Sequence, residues 1–283
     1  MKTFLYFSAI AAVLLLSNCK QPVNKDSSGN NKAVIKRNKP AKEIQYHIEN
    51  AKEWSKQHKA DNIAQQITRT VNRADFDNLQ KIDSIVVPDD STADIAYFLP
   101  FPLTIPAIKE VDKIIFFSYA TQSFAAYKNG EVIYAGATSM GRKNDQTPTG
   151  LFYTNWKAEK TTSTFNDEWD LRWNFNIENK LGVGWHQYAM PGYPASHSCL
   201  RLQEADAKYL YTWADQWVLK KDTVEIKGTP VVVFGAYDFN QPKPWMRLVQ
   251  NAHALDISAK TVEDMVTPYL GEIILEQGKR KIN

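Results

Sequence analysis

The residues best suited to chemistry lie in SHSCLRL, residues 196–202, where a cysteine stands between a histidine and an arginine. A protonated thiol attacks carbonyls slowly, and it becomes a competent nucleophile when an imidazole accepts its proton. Two histidines, His186 and His197, could accept that proton from Cys199. The stretch therefore indicates a cysteine nucleophile activated by a histidine.

Two other roles for Cys199 are compatible with its neighbours. His186, His197 and Cys199 form a chemically permissible zinc trio, and a buried inert thiol is the second alternative. No Asp or Glu lies between positions 179 and 203, and the spacing matches no common zinc motif. A papain-like arrangement is disfavoured because its cysteine precedes its histidine. We therefore expect no metal and favour the nucleophile.

The elements that must position these residues are mainly short strands. KIIFFSY, SFAAYKNG and EVIYAGATS, between 113 and 139, predict strands, and Asn129-Gly130 predicts a tight hairpin turn because both positions need positive φ. LGVGWHQY predicts a strand that ends near His186, and residues 203–220 predict a helix behind the cysteine. Residues 157–180 predict a polar, tryptophan-containing loop. The predicted fold is mainly β, a sandwich or barrel with helical flanks.

Two separated motifs carry a resemblance to a known family. HQYAMPGYPASHSCLRL, residues 186–202, resembles the signature of YkuD-type L,D-transpeptidases, in which a histidine and a short loop precede Ser-His-Gly-Cys-(Ile/Val/Leu)-Arg. TPTGLF, residues 147–152, matches the Thr-Pro-x-Gly-x-Phe turn of that family, and the resemblance covers about 112–236. Ser198 departs from the pattern, since the family has glycine there. If this position needs positive φ, a serine costs on the order of 1–2 kcal/mol.

The resemblance implies an enzyme without a cofactor that acts on peptidoglycan stem peptides. Cys199 would be the nucleophile and His186 its base, oriented by the backbone carbonyl of Gln187. His197 and the amides of Ser198 and Cys199 would shape an oxyanion hole. Arg201 would brace that loop or bind a substrate carboxylate.

The implied product is a cross-link between the third residues of two stem peptides. Water in place of the acceptor amine would make the same site an L,D-carboxypeptidase, and a binding lipoprotein without catalysis is the alternative of a different class. We expect residues 169–175 to form a lid. The expected substrate-loop residues are Ser196, Trp169, Trp173 and Tyr193.

The N-terminal residues predict export and membrane anchoring. One lysine precedes an apolar run from 4 to 16 that is too short to span a bilayer, so residues 1–18 predict a signal peptide. Leu16-Ser17-Asn18-Cys19 resembles a bacterial lipobox, which implies a lipid on Cys19 and leaves Cys199 without an intramolecular partner. A plain secretory signal and an uncleaved anchor are the alternatives. We expect a lipid-anchored monomer in the cell envelope, facing the periplasm. The outer membrane is favoured because Lys20 is not an inner-membrane retention aspartate.

Charge and pattern divide the rest of the chain. Residues 20–42 carry seven Lys or Arg against one acid while the whole chain carries +3, so 19–41 predict a disordered basic tether and the remainder lacks a nucleic-acid-binding charge. Apolar spacing predicts a mainly helical lead-in at 42–110. Its segment 71–89 resembles half of a LysM module, a glycan-binding fold. The catalytic domain would span 111–238, and a helical extension 239–283.

Overall fold

The computed structural model describes residues 37–163 and 170–282, and within them the protein is mainly β-sheet with helices on its flanks. The strands are β1 Tyr46–Asn50, β2 Ser84–Pro88, β3 Ile114–Ser118, β4 Ser123–Lys128, β5 Glu131–Ala137, β6 Gly150–Tyr153, β7 Lys157–Thr162, β8 Asp170–Glu178, β9 Val183–Gln187, β10 Leu200–Leu202, β11 Val218–Lys220, β12 Thr223–Ile226 and β13 Pro230–Phe234. The α-helices are α1 Ala51–Gln57, α2 Asn62–Asn72, α3 Phe76–Leu79, α4 Glu204–Trp213, α5 Ala259–Val266 and α6 Leu270–Ile282. Short 3₁₀ helices span Ile95–Phe98, Pro106–Ile108, Pro244–Val249 and Thr267–Tyr269.

Two sheets pack against each other and enclose the main core. One has five strands in the order β5-β4-β3-β13-β6, and the other has four in the order β10-β9-β8-β7. Every residue of β3 is buried, because alternate side chains of a strand face opposite sides of the sheet and both sides are covered. Ile115 and Phe117 pack toward the four-stranded sheet and α4, whereas Ile114 and Phe116 pack toward α5 and α6.

The predicted fold class is confirmed, and the sandwich alternative is the correct one. Among the described residues the two sheets stay separate and do not close into a barrel. The predicted hairpin turn is also correct, since Asn129 and Gly130 have φ of 49° and 81°. It joins β4 to β5, which pair antiparallel.

The parallel pair β9–β10 decides which side chains face the site. Leu200 is in register with Trp185 and Arg201 with His186. Trp185 and Leu200 are wholly buried in the core between the sheets. Because strand side chains alternate, His186 and Arg201 lie on the opposite face. Cys199 is two positions before Arg201, so the cysteine precedes β10 on that same face.

The segment 46–88 has its own small core and is called here the βααβ unit after its two strands and its two longer helices, α1 and α2. β1 pairs antiparallel with β2, and the helices α1 to α3 lie between them in sequence. Trp54, Leu79 and Ile85 belong to its buried cluster. The expectation of a mainly helical lead-in is wrong at residues 46–50, which form the strand β1. Tyr46 is buried and pairs with Pro88, whereas His47 is exposed. Glycan binding by this unit stays a prediction.

Two further expectations about secondary structure are wrong. Residues 157–180 were expected to form a loop, and their described part is the antiparallel hairpin β7–β8. The helix expected at 203–220 ends at Trp213, and Val218 begins the β11–β12 ribbon. Residues 244–282 are largely helical, as expected. Within the described residues no helix is long and apolar enough to cross a membrane.

Candidate active site

A cavity with about 310 Å³ of empty space lies over the cysteine, at the face of β9 and β10 opposite the core. The turn at residues 196–199, called here the cysteine turn, borders it, and residues 188–195, called the connecting loop, join that turn to β9. The cavity is lined by Ser163, Leu171, His186, Tyr188, Ser196, His197, Cys199 and Arg201. The structure thus brings together the thiol and both histidines that the sequence singled out.

His186 is held as a neutral imidazole with one nitrogen fixed. It is 4% exposed, and its Nδ1 lies 3.1 Å from the carbonyl oxygen of Gln187. A carbonyl oxygen only accepts, so Nδ1 carries the proton and Nε2 is left as a base. Burial lowers the pKa of His186 to about 4; the Gln187 carbonyl raises the pKa and the charge of Arg201 lowers it further. Near pH 7 the imidazole is therefore unprotonated at Nε2, which leaves this nitrogen available as an acceptor.

Cys199 is a free, partly exposed cysteine whose sulfur is held as a thiol. Its Sγ donates to the carbonyl oxygen of Gly182 across 3.7 Å. Burial raises the pKa of the Cys199 thiol, while the backbone amide of Gly184 and the charge of Arg201 act in the lowering direction. Burial disfavours the thiolate more than these neighbours favour it. The resting pair is consequently a neutral thiol and a neutral imidazole.

The cysteine turn contains the strained serine that the sequence suggested. Ser198 has φ of 80°, in the left-handed region where a side chain costs on the order of 1–2 kcal/mol. Thr147 Oγ1 donates to the carbonyl oxygen of Ser198 (2.8 Å) and accepts from the amide of Gly141 (2.9 Å). Ser196 Oγ donates to the carbonyl oxygen of Cys199 (2.5 Å). These bonds fix the peptide between Ser198 and Cys199, and they explain why Thr147 belongs to the site.

A second set of contacts anchors the turn to the segment just before Thr147. The amide of Arg142 donates to the carbonyl oxygen of Ser196, and the amide of Ser196 donates to that of Met140. Tyr119 Oη donates to the carbonyl oxygen of Gly141. Residues 140–142 therefore run beside the cysteine turn and are joined to it by backbone hydrogen bonds.

Arg201 lies at the wall of the cavity beside an aromatic ring. Its Nη1 donates to the carbonyl oxygen of Ala189 (3.3 Å), and its guanidinium carbon is 4.6 Å from the centre of the Tyr188 ring. Burial lowers the pKa of Arg201, and Tyr188, Cys199 and Tyr193 act to raise it. Within residues 37–163 and 170–282 no carboxylate forms an ion pair with this guanidinium.

The other expected substrate-loop residues are divided. Ser196 lines the cavity, whereas half-exposed Tyr193 is outside its lining, with its carbonyl oxygen accepting from Ser139 Oγ (2.7 Å). Trp173 packs on α4, its ring centre 5.5 Å from that of Tyr211, and does not line the cavity. Trp169 and Cys19 lie outside the described residues, and the described part of the expected lid belongs to β8.

Sequence reasoning missed three residues of the cavity lining. Ser163 and Leu171 come from the β7–β8 hairpin, and Tyr188 follows β9. Ser163 and Leu171 were missed because no motif marks them and because residues 157–180 were expected to form a loop. Tyr188 stood inside the recognised signature and could have been found there. Among the described residues no group of three or more His, Cys, Asp or Glu could hold a metal ion.

Comparison with known proteins gives one match in sequence and several in fold. Residues 112–233 match the family model YkuD, L,D-transpeptidase catalytic domain. No curated protein matches the chain. Solved structures similar to it include an L,D-transpeptidase of Stackebrandtia nassauensis (22% identity, TM-score 0.36, covering 44% of this chain and 56% of that one). They also include L,D-transpeptidases of Enterococcus faecium (25%, TM-score 0.35, 44% and 50%) and Mycobacterium tuberculosis (21%, TM-score 0.34, 44% and 62%). The chain thus spans less than two thirds of the length of each.

Proposed function

Residues 112–233 are a YkuD-type L,D-transpeptidase catalytic domain, and from this premise we propose that the protein is a cysteine acyltransferase of peptidoglycan stem peptides. The observation that carries the proposal is the cavity shared by the Cys199 thiol and the His186 imidazole, whose Nδ1 is fixed on the Gln187 carbonyl. A thiol and an oriented, neutral base at one cavity are what thioester chemistry requires.

The first half of the reaction forms a thioester. His186 Nε2 takes the thiol proton as Sγ attacks the carbonyl that joins the third stem residue to the terminal D-alanine. The carbonyl oxygen becomes an oxyanion, which the amides of Ser198 and Cys199 and the His197 side chain stabilise. The C–N bond then breaks, and the imidazolium returns its proton to the departing D-alanine amine. The acyl group remains on Cys199.

The resting protonation states determine how this step is timed. The lowered pKa of His186 and the raised pKa of Cys199 keep the proton on sulfur until substrate binds. Proton transfer therefore accompanies attack on the bound carbonyl, as general-base catalysis requires. A bound peptide also displaces water from the cavity and strengthens these interactions.

The second half transfers the acyl group to an amine. The side-chain amine of a neighbouring stem attacks the thioester carbonyl and gives a proton to His186. The C–S bond then breaks, the imidazolium returns that proton to Cys199 Sγ, and the new amide bond is the cross-link. No cofactor is needed, because the thioester holds the acyl group in activated form. Arg201, without an ion-pair partner among the described carboxylates, is suited to bind a substrate carboxylate through its planar donors.

Purified stem peptides test the proposal directly. The protein is incubated with tetrapeptide muropeptides and the products are measured by mass spectrometry. Release of D-alanine with dimer formation is expected for the wild type and neither for Cys199→Ala. A shortened, uncoupled stem would identify the L,D-carboxypeptidase reaction. Intact protein that forms no adduct and releases no D-alanine would instead support a binding lipoprotein.

Imipenem provides a second probe that needs no peptide. One of the similar solved structures is an L,D-transpeptidase in complex with imipenem. The expected result is a mass increase of the wild-type protein equal to one bound drug molecule, which Cys199→Ala abolishes. A mass increase that persists in this variant would contradict the assignment of the nucleophile.

We also propose that a lipid on Cys19 anchors the protein in the cell envelope, with the periplasmic face of the outer membrane favoured. Support comes from the lipobox-like Leu16-Ser17-Asn18-Cys19 and from Lys20 after it. Radiolabelled palmitate should be incorporated into the wild type and not into Cys19→Ala. Label in both proteins would contradict the proposal, and membrane fractionation of the labelled protein decides which membrane holds it.

A further inference from the structure

The βααβ unit, outside the part of the chain that matches the family, holds the connecting loop by its backbone. Ala74 forms an antiparallel bridge with Pro191. The amide of Asp75 donates to the carbonyl oxygen of Met190 (3.0 Å), and the amide of Met190 donates to Asp75 Oδ2 (2.6 Å). Both backbone polar groups of Met190 are therefore satisfied by one residue that is 115 positions away.

The contact is rigid on the side of the unit. Arg73 is wholly buried with φ of 55°, and its guanidinium donates to the carbonyl oxygens of Thr70, Val71 and Thr121. Asp75 Oδ1 accepts from the amide of Asn78 (2.8 Å) and so caps α3. Residues 73–75 cannot shift without breaking several buried hydrogen bonds, each of which is costly to leave unmade.

The side chain of Asn72 adds to this rigidity. It donates to the carbonyl oxygen of Val86 (2.7 Å) and accepts from the Val86 amide (2.9 Å), which ties the end of α2 to β2. It also donates to the carbonyl oxygen of Thr68 (2.8 Å). The bracing segment 72–75 is thus part of the folded unit rather than a free linker.

On the loop side, a glycine permits the close approach. Gly192 has φ of 79°, and a Cβ there would lie 3.1 Å from the carbonyl oxygen of Asn72 and 3.1 Å from Ile82 Cδ1. A side chain at 192 would strain the backbone and press on the unit. Met190, two positions before Gly192, is wholly buried. The connecting loop is therefore shaped to lie against the βααβ unit.

The braced residues lead directly to the cavity wall. Ala189, adjacent to Met190, offers the carbonyl oxygen to which Arg201 donates. The Arg201 guanidinium in turn lies on the ring of Tyr188, and both side chains line the cavity. The position of Met190 therefore fixes the Ala189 carbonyl, and that carbonyl orients the Arg201 guanidinium in the cavity wall. His186 and the cysteine turn have their own hydrogen bonds within residues 112–233.

We propose that Asp75 is a positioning residue that holds the peptide-binding wall of the active site through Met190, so that the βααβ unit is a part of the substrate site. The proposal rests on the proposed function, since the wall is assigned to the stem peptide. It separates two properties: loss of the Asp75 contact weakens the binding of peptide, and it leaves the intrinsic reactivity of the Cys199 thiol unchanged.

The test uses the full chain carrying Asp75→Asn, with Asp61→Asn as the matched control. Asparagine caps helices as well as aspartate does, so the α3 cap is kept while the charged acceptor for the Met190 amide is lost. Asp61 caps α2 by accepting from the Ala64 amide and has no contact with the connecting loop. A structural effect of losing a cap carboxylate would therefore be visible in the control.

We expect Asp75→Asn to raise KM for the tetrapeptide about tenfold with little change in kcat, because a hydrogen bond to a charged group is worth about 1.5–3 kcal/mol. Hydrogen exchange at the Met190 amide should be at least about tenfold faster for the same reason. The rate at which iodoacetamide alkylates Cys199 should match the wild type. Asp61→Asn should leave all three measurements unchanged.

Three outcomes would overturn the proposal. The first is unchanged KM with unchanged exchange at Met190. The second is slower alkylation of Cys199 in Asp75→Asn, which would place the defect at the thiol. The third is an equal effect of Asp61→Asn, which would make the role merely structural. A wild-type protein that turns over no peptide overturns the proposed function instead, and faster Met190 exchange in Asp75→Asn would still support the loop contact on its own.

Discussion

The cysteine turn and the connecting loop are consecutive in the chain and are held in different ways. The turn is fixed by residues of the matched domain: Thr147 binds the Ser198 carbonyl, and the Gly141 amide binds Thr147. The loop has contacts within that domain, from Ser139 to Tyr193 and from Arg201 to Ala189, and it is also held from outside the domain, by Asp75 on Met190. One segment carries the thiol, and the other carries part of the wall beside it.

This difference teaches that reactivity and substrate binding have separate supports in one cavity. The contacts of the turn come from within residues 112–233, from Thr147 of the Thr-Pro-x-Gly motif and from residues 140–142. Both hydrogen bonds to the backbone of Met190 in the loop come from a unit at 46–88 that the family model does not include. The chemistry can therefore stay constant while the wall changes with the unit that braces it.

The largest effect should come from the thiol itself. Cys199→Ala removes the nucleophile, and we expect peptide turnover to fall by at least about 10⁴-fold because no covalent route remains. Mass spectrometry of released D-alanine measures it. The fold should persist, since the side chain is partly exposed, and an unchanged thermal transition is the control. Turnover near the wild-type level in this variant would show that the cysteine turn does not carry the nucleophile.

Thr147→Val should impair the turn while sparing the loop. Valine keeps the shape but loses the donor to Ser198 and the acceptor for Gly141, and each buried group left unsatisfied costs about 1–3 kcal/mol. Acylation of Cys199 by imipenem and alkylation by iodoacetamide should both slow about tenfold or more.

The matched control is Thr212→Val, which removes an exposed hydroxyl bonded to the Lys208 carbonyl on α4. It should change neither rate. The contrast with Asp75→Asn, which is expected to spare alkylation, is the sharpest form of the comparison. If Thr147→Val also spared alkylation, the two supports would not be separate.

The pH dependence of Cys199 acylation by imipenem should reflect the protonation of His186, the buried imidazole on β9. Because the pKa of His186 is lowered to about 4, acylation should persist as pH falls to about 5 and be lost only through about pH 4. A measured loss near the ordinary histidine value, about 6.5, would contradict the burial of this base.

The same group should affect stability in a defined window. The unfolded chain binds a proton at His186 below about pH 6.5 and the folded chain only below about pH 4, so the free energy of unfolding falls as pH decreases between these values, by about 3 kcal/mol in total. Urea denaturation of the wild type and His186→Gln at both ends of the window measures this. The variant should lack this part of the pH dependence.

The smallest effect is expected at the strained serine. Ser198→Gly should raise the free energy of unfolding by about 0.5–1 kcal/mol, because relief of the left-handed strain is partly offset by the greater flexibility of the unfolded chain. Ser198→Ala keeps the strain and serves as the control. Acylation should stay within about twofold of the wild type in both, because the turn uses the backbone of this residue. A large loss in Ser198→Ala would show that the hydroxyl has a role.

Local patterns in the sequence predicted which residues meet at the cavity better than they predicted the elements that support it. His186, Cys199 and the Asn129-Gly130 turn were found because each depends on residues close together in the chain. The β1 strand was missed because Ile44 and Ile48 have helical spacing, whereas its conformation depends on pairing with β2, about forty residues away. The β7–β8 hairpin was missed because β7 is mostly polar and partly exposed.

The brace on the connecting loop could not have been predicted at all. Asp75 and Met190 are neither a motif nor a charge pair, and on the Met190 side their contact uses only backbone groups, which every residue except proline possesses. The sequence also did not distinguish a sandwich from a barrel. The two folds have similar strand patterns and differ in whether the edge strands pair with each other.

The hydrogen bond from the Cys199 thiol to the Gly182 carbonyl has a consequence for the durability of the protein. Peroxides and disulfides react with thiolates far faster than with thiols, and this sulfur is kept protonated by its burial. Cys199 should therefore react slowly with peroxides and disulfides when no ligand is bound. Burial, which raises the pKa of this thiol, therefore disfavours both sulfenic acid formation and mixed disulfides.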